Sequence, residues 1–243
     1  YSPDGPLKAL VSMAGGFFAG FTGKTVSFSE LFLPHAWPPQ NSLVTESDIV
    51  AIKETTYGLV VLTTTRPYIV QGTDPNAMSM VLLDIDQACV SKRSVGDMGG
   101  TVIYASPDGL VGIEGEKTRL LTEGVITRSQ WQSAYYPSTM KSAVFEGRYY
   151  AFFDSGSGYN KALILDVNNP SGPISVVNFT YTSSNFASHT SAEDDKFFYV
   201  AGAQLYEWGA GTNLSVNWKS KKFFTPIDSH LVWGRVLADA DVD

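Results

Sequence analysis

Tyr149-Tyr150-Ala151-Phe152-Phe153 is a run of aromatic and small apolar residues with no polar interruption. Aromatic runs of this length suit a β-strand whose side chains pack between neighbouring sheets. Comparable strand centres stand at residues 17–21, 59–63, 110–113 and 197–200. Their starts lie about 40 to 50 residues apart, the spacing of four-stranded propeller blades. The chain is therefore expected to be all-β, a β-propeller of about five blades, completed by segments that lie beyond its own ends.

Residues 49–54, 58–65, 67–72 and 78–85 read as one four-stranded unit. A second runs through 100–105, 110–114 and 119–125, with Ser106-Pro107-Asp108-Gly109 as its turn. Pro fixes the first torsion there, Asp bonds its own backbone, and Gly is expected to accept a positive φ. Ser2-Pro3-Asp4-Gly5 repeats the string. Further strands are expected at 149–154, 162–167, 196–201, 204–208 and 214–224, with Glu146-Gly147 as a tight turn and a loop at 168–173. Gly58, Gly109 and Gly147 should each lie in a turn or at a strand start. Helix patterns are nearly absent, and 34–47 and 127–141 read as long loops, where function tends to sit.

The chain of 243 residues, 44% hydrophobic and 13% aromatic, can bury a large core, and is read as a single domain over residues 1–243. A net charge of -7 gives no basic footprint for nucleic acid or anionic lipid. Cys89 is the only cysteine, which excludes an internal disulfide and a cysteine zinc site. It reads as a small buried apolar residue. The apolar stretch 7–21 is too short and too broken by small and polar residues to span a bilayer. A start at Tyr1 and an end in the alternation 238–243 suggest a piece of a longer protein.

Motifs for chemistry are weak. Gly23-Lys24-Thr25 resembles the end of a phosphate-binding loop, but Phe18 stands where the first glycine belongs, so a hairpin with an exposed Lys24 is the better reading. His35, His189 and His230 lack the short spacings of a metal pair. Asp84 with Asp86, and Asp239, Asp241 and Asp243, would each share a strand face and resist unwanted edge pairing. Glu146, Asp154, Asp194 and Asp195 are the carboxylates open to glycosidase work, which needs two placed across a sugar. No nucleophile elbow is present, and no catalytic, cofactor-binding or metal-binding residue is assigned. Asn178 and Asn213 begin glycosylation acceptor triplets that are read as chance. Trp37, Trp131 and Trp233 lie near loops, and the interface candidates are Trp37, Trp131, Tyr135 and Tyr136. The alternative for both long loops is a cap packed over the propeller's own faces.

Gly15-Gly16-Phe17-Phe18-Ala19-Gly20-Phe21, Val26-Ser27-Phe28-Ser29-Glu30 and Pro34-His35-Ala36-Trp37-Pro38 follow in order. After them come Gln87-Ala88-Cys89-Val90-Ser91-Lys92-Arg93-Ser94, Tyr104 through Leu110, Thr127-Arg128-Ser129-Gln130-Trp131 and Trp218-Lys219-Ser220-Lys221. In this order the strings resemble the tail nozzle proteins of short-tailed bacteriophages, also called tail tubular protein B, over nearly the whole chain. The resemblance implies a propeller in a homo-oligomeric ring, sixfold by family likeness, within the phage tail of the virion and assembled in the host cytoplasm. It further implies a structural role without enzymatic activity or cofactor. The ring would form the conduit for DNA ejection and hold other tail or head-to-tail connector proteins; DNA would pass without sequence-specific binding, and no membrane would be involved. An acidic wall suits such a conduit, because like charge repels the phosphate backbone. The alternative function is a carbohydrate-acting or carbohydrate-binding propeller.

Overall fold

The computed structural model describes residues 5–166, 174–183, 186–191, 196–201 and 203–210, all within the unit Tyr1–Ala210. The expectations at Ser2 to Asp4, residues 168–173, Asp194, Asp195, residues 214–224, Asn213, Trp218, His230, Trp233 and residues 238–243 lie outside the described residues.

The strands form five antiparallel sheets, each made of consecutive strands. Blade one holds β1 (Leu10–Met13), β2 (Phe17–Thr22), β3 (Thr25–Phe28) and β4 (Ser42–Val44). Blade two holds β5 (Ile49–Thr55), β6 (Gly58–Thr63), β7 (Tyr68–Gln71) and β8 (Ser79–Leu82). Blade three holds β9 (Gly96–Asp97), β10 (Thr101–Ala105), β11 (Leu110–Glu114) and β12 (Lys117–Leu120). Blade four holds β13 (Lys141–Phe145), β14 (Arg148–Asp154), β15 (Tyr159–Asp166) and β16 (Ser175–Ser183), and the described part of blade five holds β17 (Phe186–Ser191), β18 (Lys196–Ala201) and β19 (Gln204–Glu207). The first strands of successive sheets meet: β1 neighbours β5, β9 neighbours β13, and β13 neighbours β17. This is a β-propeller of about five blades.

The two-residue period of a strand explains why the strand centres are apolar on every residue. On β6, Leu59 and Val61 join the core shared with blade one, while Val60 and Leu62 join the core shared with blade three. On β10, Val102 and Tyr104 face blade two, whereas Ile103 and Ala105 face blade four. The same division holds on β14, where Tyr149, Ala151 and Phe153 pack toward blade three, and Tyr150 and Phe152 toward blade five. In that last core Tyr150 and Phe197 have ring centroids 5.4 Å apart, and Trp208 meets Phe152 edge-on at 6.0 Å. A sheet packed on both faces leaves no position for a polar residue at its centre, and each large apolar side chain so buried contributes about 1.5–3 kcal/mol.

Several expectations are corrected. The stretch 34–47 is not all loop, because it contains β4. β9 and β17 were not foreseen, and the last strand of blade three is β12, ending at Leu120, with turns following it where strand was expected at 121–125. Asp84 and Asp86 follow β8 in irregular chain and so do not share a strand face. Glu146 and Gly147 form the expected tight turn, with φ of 48° and 69°, matching the mirror-type hairpin whose twist suits the flanking strands. Gly109 does precede a strand, but its φ is not in the left-handed region. Space is what requires glycine there: a Cβ would lie 2.0 Å from Thr122 Oγ1.

Cys89 is buried in the core between blades two and three. Burial pushes its thiol from the ordinary 9.0 up to about 12, with a backbone hydrogen bond at Ser91 opposing only part of the rise. Burial also raises Tyr104 and Tyr149. Each group holds its proton more tightly when folded, so this stabilisation is complete below the unfolded pKa and is lost as pH rises through the folded one; for Cys89 that window runs from 9.0 to about 12. A thiol reagent at pH 8 should leave Cys89 unlabelled in the folded chain and label it in denaturant. Rapid labelling without denaturant would contradict its burial.

Candidate functional site: two caps on the blades

The first cap connects β3 to β4. Glu30 N–H donates to the Ala36 carbonyl at 2.9 Å, and Leu33 N–H to the Glu30 carbonyl at 3.1 Å, drawing the chain into a closed knot. Trp37 is buried under it and donates its indole N–H to the Pro34 carbonyl at 2.9 Å. His35 is exposed on the same knot. At the tip Leu31, Phe32 and Leu33 are 40%, 80% and 47% exposed, and Phe32 has a left-handed φ of 57°. Asn41, next to β4, is buried, with neither its Oδ1 nor its Nδ2 hydrogen-bonded to a described residue.

The second cap is helix α1 (Arg128–Ala134) with the short 3-10 turn Pro137–Thr139. The helix starts at a capping box: Thr127 Oγ1 accepts from Gln130 N–H at 3.3 Å, and Gln130 Oε1 accepts from Thr127 N–H at 3.1 Å. Trp131 is fully buried and donates its indole N–H to the Ser106 carbonyl at 2.8 Å. Tyr135 stacks on it with centroids 5.7 Å apart and reaches Phe153 of blade four. The helix also clamps the Ser106–Gly109 turn, with Arg128 Nε 2.8 Å from Asp108 Oδ1 and Gln132 donating to the Pro107 carbonyl at 3.1 Å. Asp108 Oδ2 in turn accepts from Gln87 at 2.8 Å.

The four interface candidates thus divide. Trp131 and Tyr135 come together inside the second cap, Tyr136 follows at 38% exposure with a φ of 46°, and Trp37 belongs to the first cap. The two tryptophans use their ring surfaces and their N–H groups within the chain, in the manner of caps packed on the propeller's own blades. Sequence reading passed over Phe32, whose exposure no local pattern announces. It also passed over α1, although Thr127 and Gln130 spell the start signal of a helix.

The remaining polar candidates are structural or solvent-facing. Gly23-Lys24 turns the hairpin between β2 and β3, with exposed Lys24 donating to the Glu46 carbonyl at 2.9 Å. Asp154 Oδ1 accepts from Gly156 N–H at 2.8 Å and Gly158 N–H at 2.7 Å, which closes the turn between β14 and β15. Glu146 stands in the turn beyond the opposite end of β14, and the six steps of about 3.3 Å along Arg148–Asp154 separate the two backbone positions by about 20 Å or more. Glycosidase carboxylates work about 5–10 Å apart, so this pair cannot span one glycosidic bond. His35 and His189 are exposed, and no three His, Cys, Asp or Glu side chains among the described residues converge for a metal ion.

No family model matches the chain, and no curated protein matches it. Solved structures do. The dihydro-heme d1 dehydrogenase NirN in complex with DHE aligns over 83% of this chain and 44% of its own, at 10% identity and a TM-score of 0.52. The likeness is to the propeller fold. The WD40 domain of Toxoplasma gondii coronin aligns over 84% of this chain and 56% of its own, at 14% identity and a TM-score of 0.47. The propeller described here spans about half the length of those chains. At such identities the likeness extends to the fold alone, and function rests on the residues.

Proposed function

We propose that this chain is a structural component of a short-tailed phage tail nozzle, one subunit of a ring that forms the conduit for DNA ejection and holds neighbouring tail proteins. The observation that carries the reading is the ordered set of resembling strings, together with where they fall. Gly15 to Phe21 enters and fills β2, Gln87 to Ser94 links blades two and three, and Thr127 to Trp131 opens the second cap. A propeller is the fold that the resemblance implies, and the described residues form one. The net charge of -7 suits a wall past which phosphate must slide without sticking. Nothing in this role requires catalysis, and the separation of Glu146 from Asp154 removes that one pair of carboxylates from the carbohydrate-acting alternative.

Sedimentation velocity and electron microscopy of the chain at micromolar concentration test the proposal. Assembly into rings, with no turnover across a panel of glycosides, is the expected result. A monomer that hydrolyses a glycoside, and loses that activity in Asp154→Asn or Glu146→Gln, would overturn it.

A further inference from the structure

We infer that the entries of β9 and β13 form a binding site for a compact phosphate-bearing anion, held by Lys92, Arg93 and Lys141, an inference independent of the ring reading. Blades three and four begin side by side there, because β9 lies against β13. The 3-10 turn Lys92–Ser94 precedes β9 and touches β13, and Lys141 is the first residue of β13. Ser91 Oγ donates to the Met140 carbonyl at 2.6 Å, and Ser142 Oγ donates to the Arg93 carbonyl at 3.3 Å, so the turn is pinned on both sides of Lys141. Ser94 Oγ closes the turn onto the Ser91 carbonyl at 2.7 Å, and the Tyr149 hydroxyl donates to the Ser94 carbonyl. Toward blade one, Lys92 Nζ donates to the Lys8 carbonyl at 2.8 Å and stands 5.9 Å from the centre of the Phe21 ring. Lys141 Nζ lies 4.3 Å from the centre of the Tyr159 ring.

The fold therefore fixes like charges beside one another, which costs energy unless an anion lies among them. Lys141 registers that cost: burial first, and then the charge of Arg93, hold its ammonium below the ordinary lysine range. Neither Lys92 nor Arg93 has a carboxylate within ion-pair distance among the described residues, and both are exposed. The acids at these strand entries are Asp48, before β5, and Asp154, at the end of β14 with its Oδ1 held by the Gly156 and Gly158 N–H groups. Lys8, Lys92, Arg93 and Lys141 outnumber them, in a chain whose net charge is -7. A local cationic field in an acidic protein concentrates anions at that one place.

Shape and charge decide the class of anion. Arg93 offers a planar fork of donors to two oxygens at once, and Lys92 and Lys141 add point charges, the combination that suits phosphate. A nucleic-acid strand is gripped by cations spread along its length, about 6–10 phosphate contacts in a salt-sensitive site, whereas this cluster is gathered around one turn. A diphosphate or polyphosphate group carries its charges as close together as these cations are.

Calorimetric titration of the 243-residue chain with pyrophosphate tests this, with a single DNA strand of about ten nucleotides as a second titrant. Expected is saturable one-to-one binding of pyrophosphate that weakens as salt is raised, and that is about tenfold weaker in Arg93→Gln at an unchanged urea midpoint. Arg93→Lys keeps the charge and should bind more tightly than Arg93→Gln, which separates charge from fold. Lys117→Gln removes the same charge from exposed β12, outside the cluster, and should leave binding as it is. No saturable binding, binding unchanged in Arg93→Gln, or an equal loss in Arg93→Gln and Lys117→Gln would overturn the site. Tighter binding of the DNA strand than of pyrophosphate would overturn the compact anion as its ligand. Ring assembly is read separately by sedimentation, so failure of either reading leaves the other standing.

Discussion

Trp131→Ala is expected to destabilise the propeller by about 3–5 kcal/mol, the cost of truncating a buried tryptophan to alanine. Three contributions add up at this site. The indole fills the core between blades three and four alongside Ile103, Met140 and Phe153. Its N–H satisfies the Ser106 carbonyl, which would otherwise be left unpaired within the fold, at about 1–3 kcal/mol. It also supports Tyr135 from below, so the ring stack reaching Phe153 loses its base. Urea unfolding reads the effect as a lower midpoint. Trp131→Phe separates the contributions: the ring remains, the donor is lost, and about 1–2 kcal/mol should go with it. An unchanged midpoint in Trp131→Ala would mean that α1 does not pack on the blades as described.

The strand centres could be read from sequence because each is buried on two faces. Leu59 to Leu62 and Tyr149 to Phe153 have no polar interruption for a physical reason, namely that both sides of the sheet lie in a core. Outer strands obey a weaker rule. β4 and β12 carry exposed positions on an open edge, so Ser42-Leu43-Val44 looks like loop, and the strand Lys117–Leu120 is expected two residues late and too far along, at 119–125. α1 spans seven residues, fewer than a helical period needs in order to show itself against background, and only its capping box marked it. Trp37 and Trp131 illustrate a different limit. Placement in a loop suggests exposure, but a loop that folds back as a cap turns its aromatics inward, and the partners that satisfy their N–H groups, Pro34 and Ser106, are ordinary carbonyls with no sequence signature. Phe32 is hidden for the converse reason. Its exposure and its left-handed torsion are both properties of the folded chain.

Gly109→Val should cost nearly as much as the loss of Trp131, and the cause can be distinguished from a torsional one. A Cβ at this position would fall 2.0 Å from Thr122 Oγ1 and 3.0 Å from Leu120 Cδ1. Leu120 ends in a flexible side chain and can give way. Thr122 cannot move freely, because its hydroxyl accepts the Leu110 N–H at 3.2 Å in a buried setting. Displacing it adds about 1–3 kcal/mol for an unpaired donor to the about 1–3 kcal/mol of overpacking. A positive φ would predict that Asn is tolerated at 109 far better than Ala or Val. The close approach to Thr122 predicts the reverse order, Ala mildest and Asn and Val both severe, because bulk alone matters. It also predicts coupling: Gly109→Ala combined with Thr122→Ala should be less destabilising than the sum of the two single changes by about 1 kcal/mol or more. Additive losses, or a well-tolerated Gly109→Asn, would show that the turn depends on backbone conformation and not on the space beside Thr122.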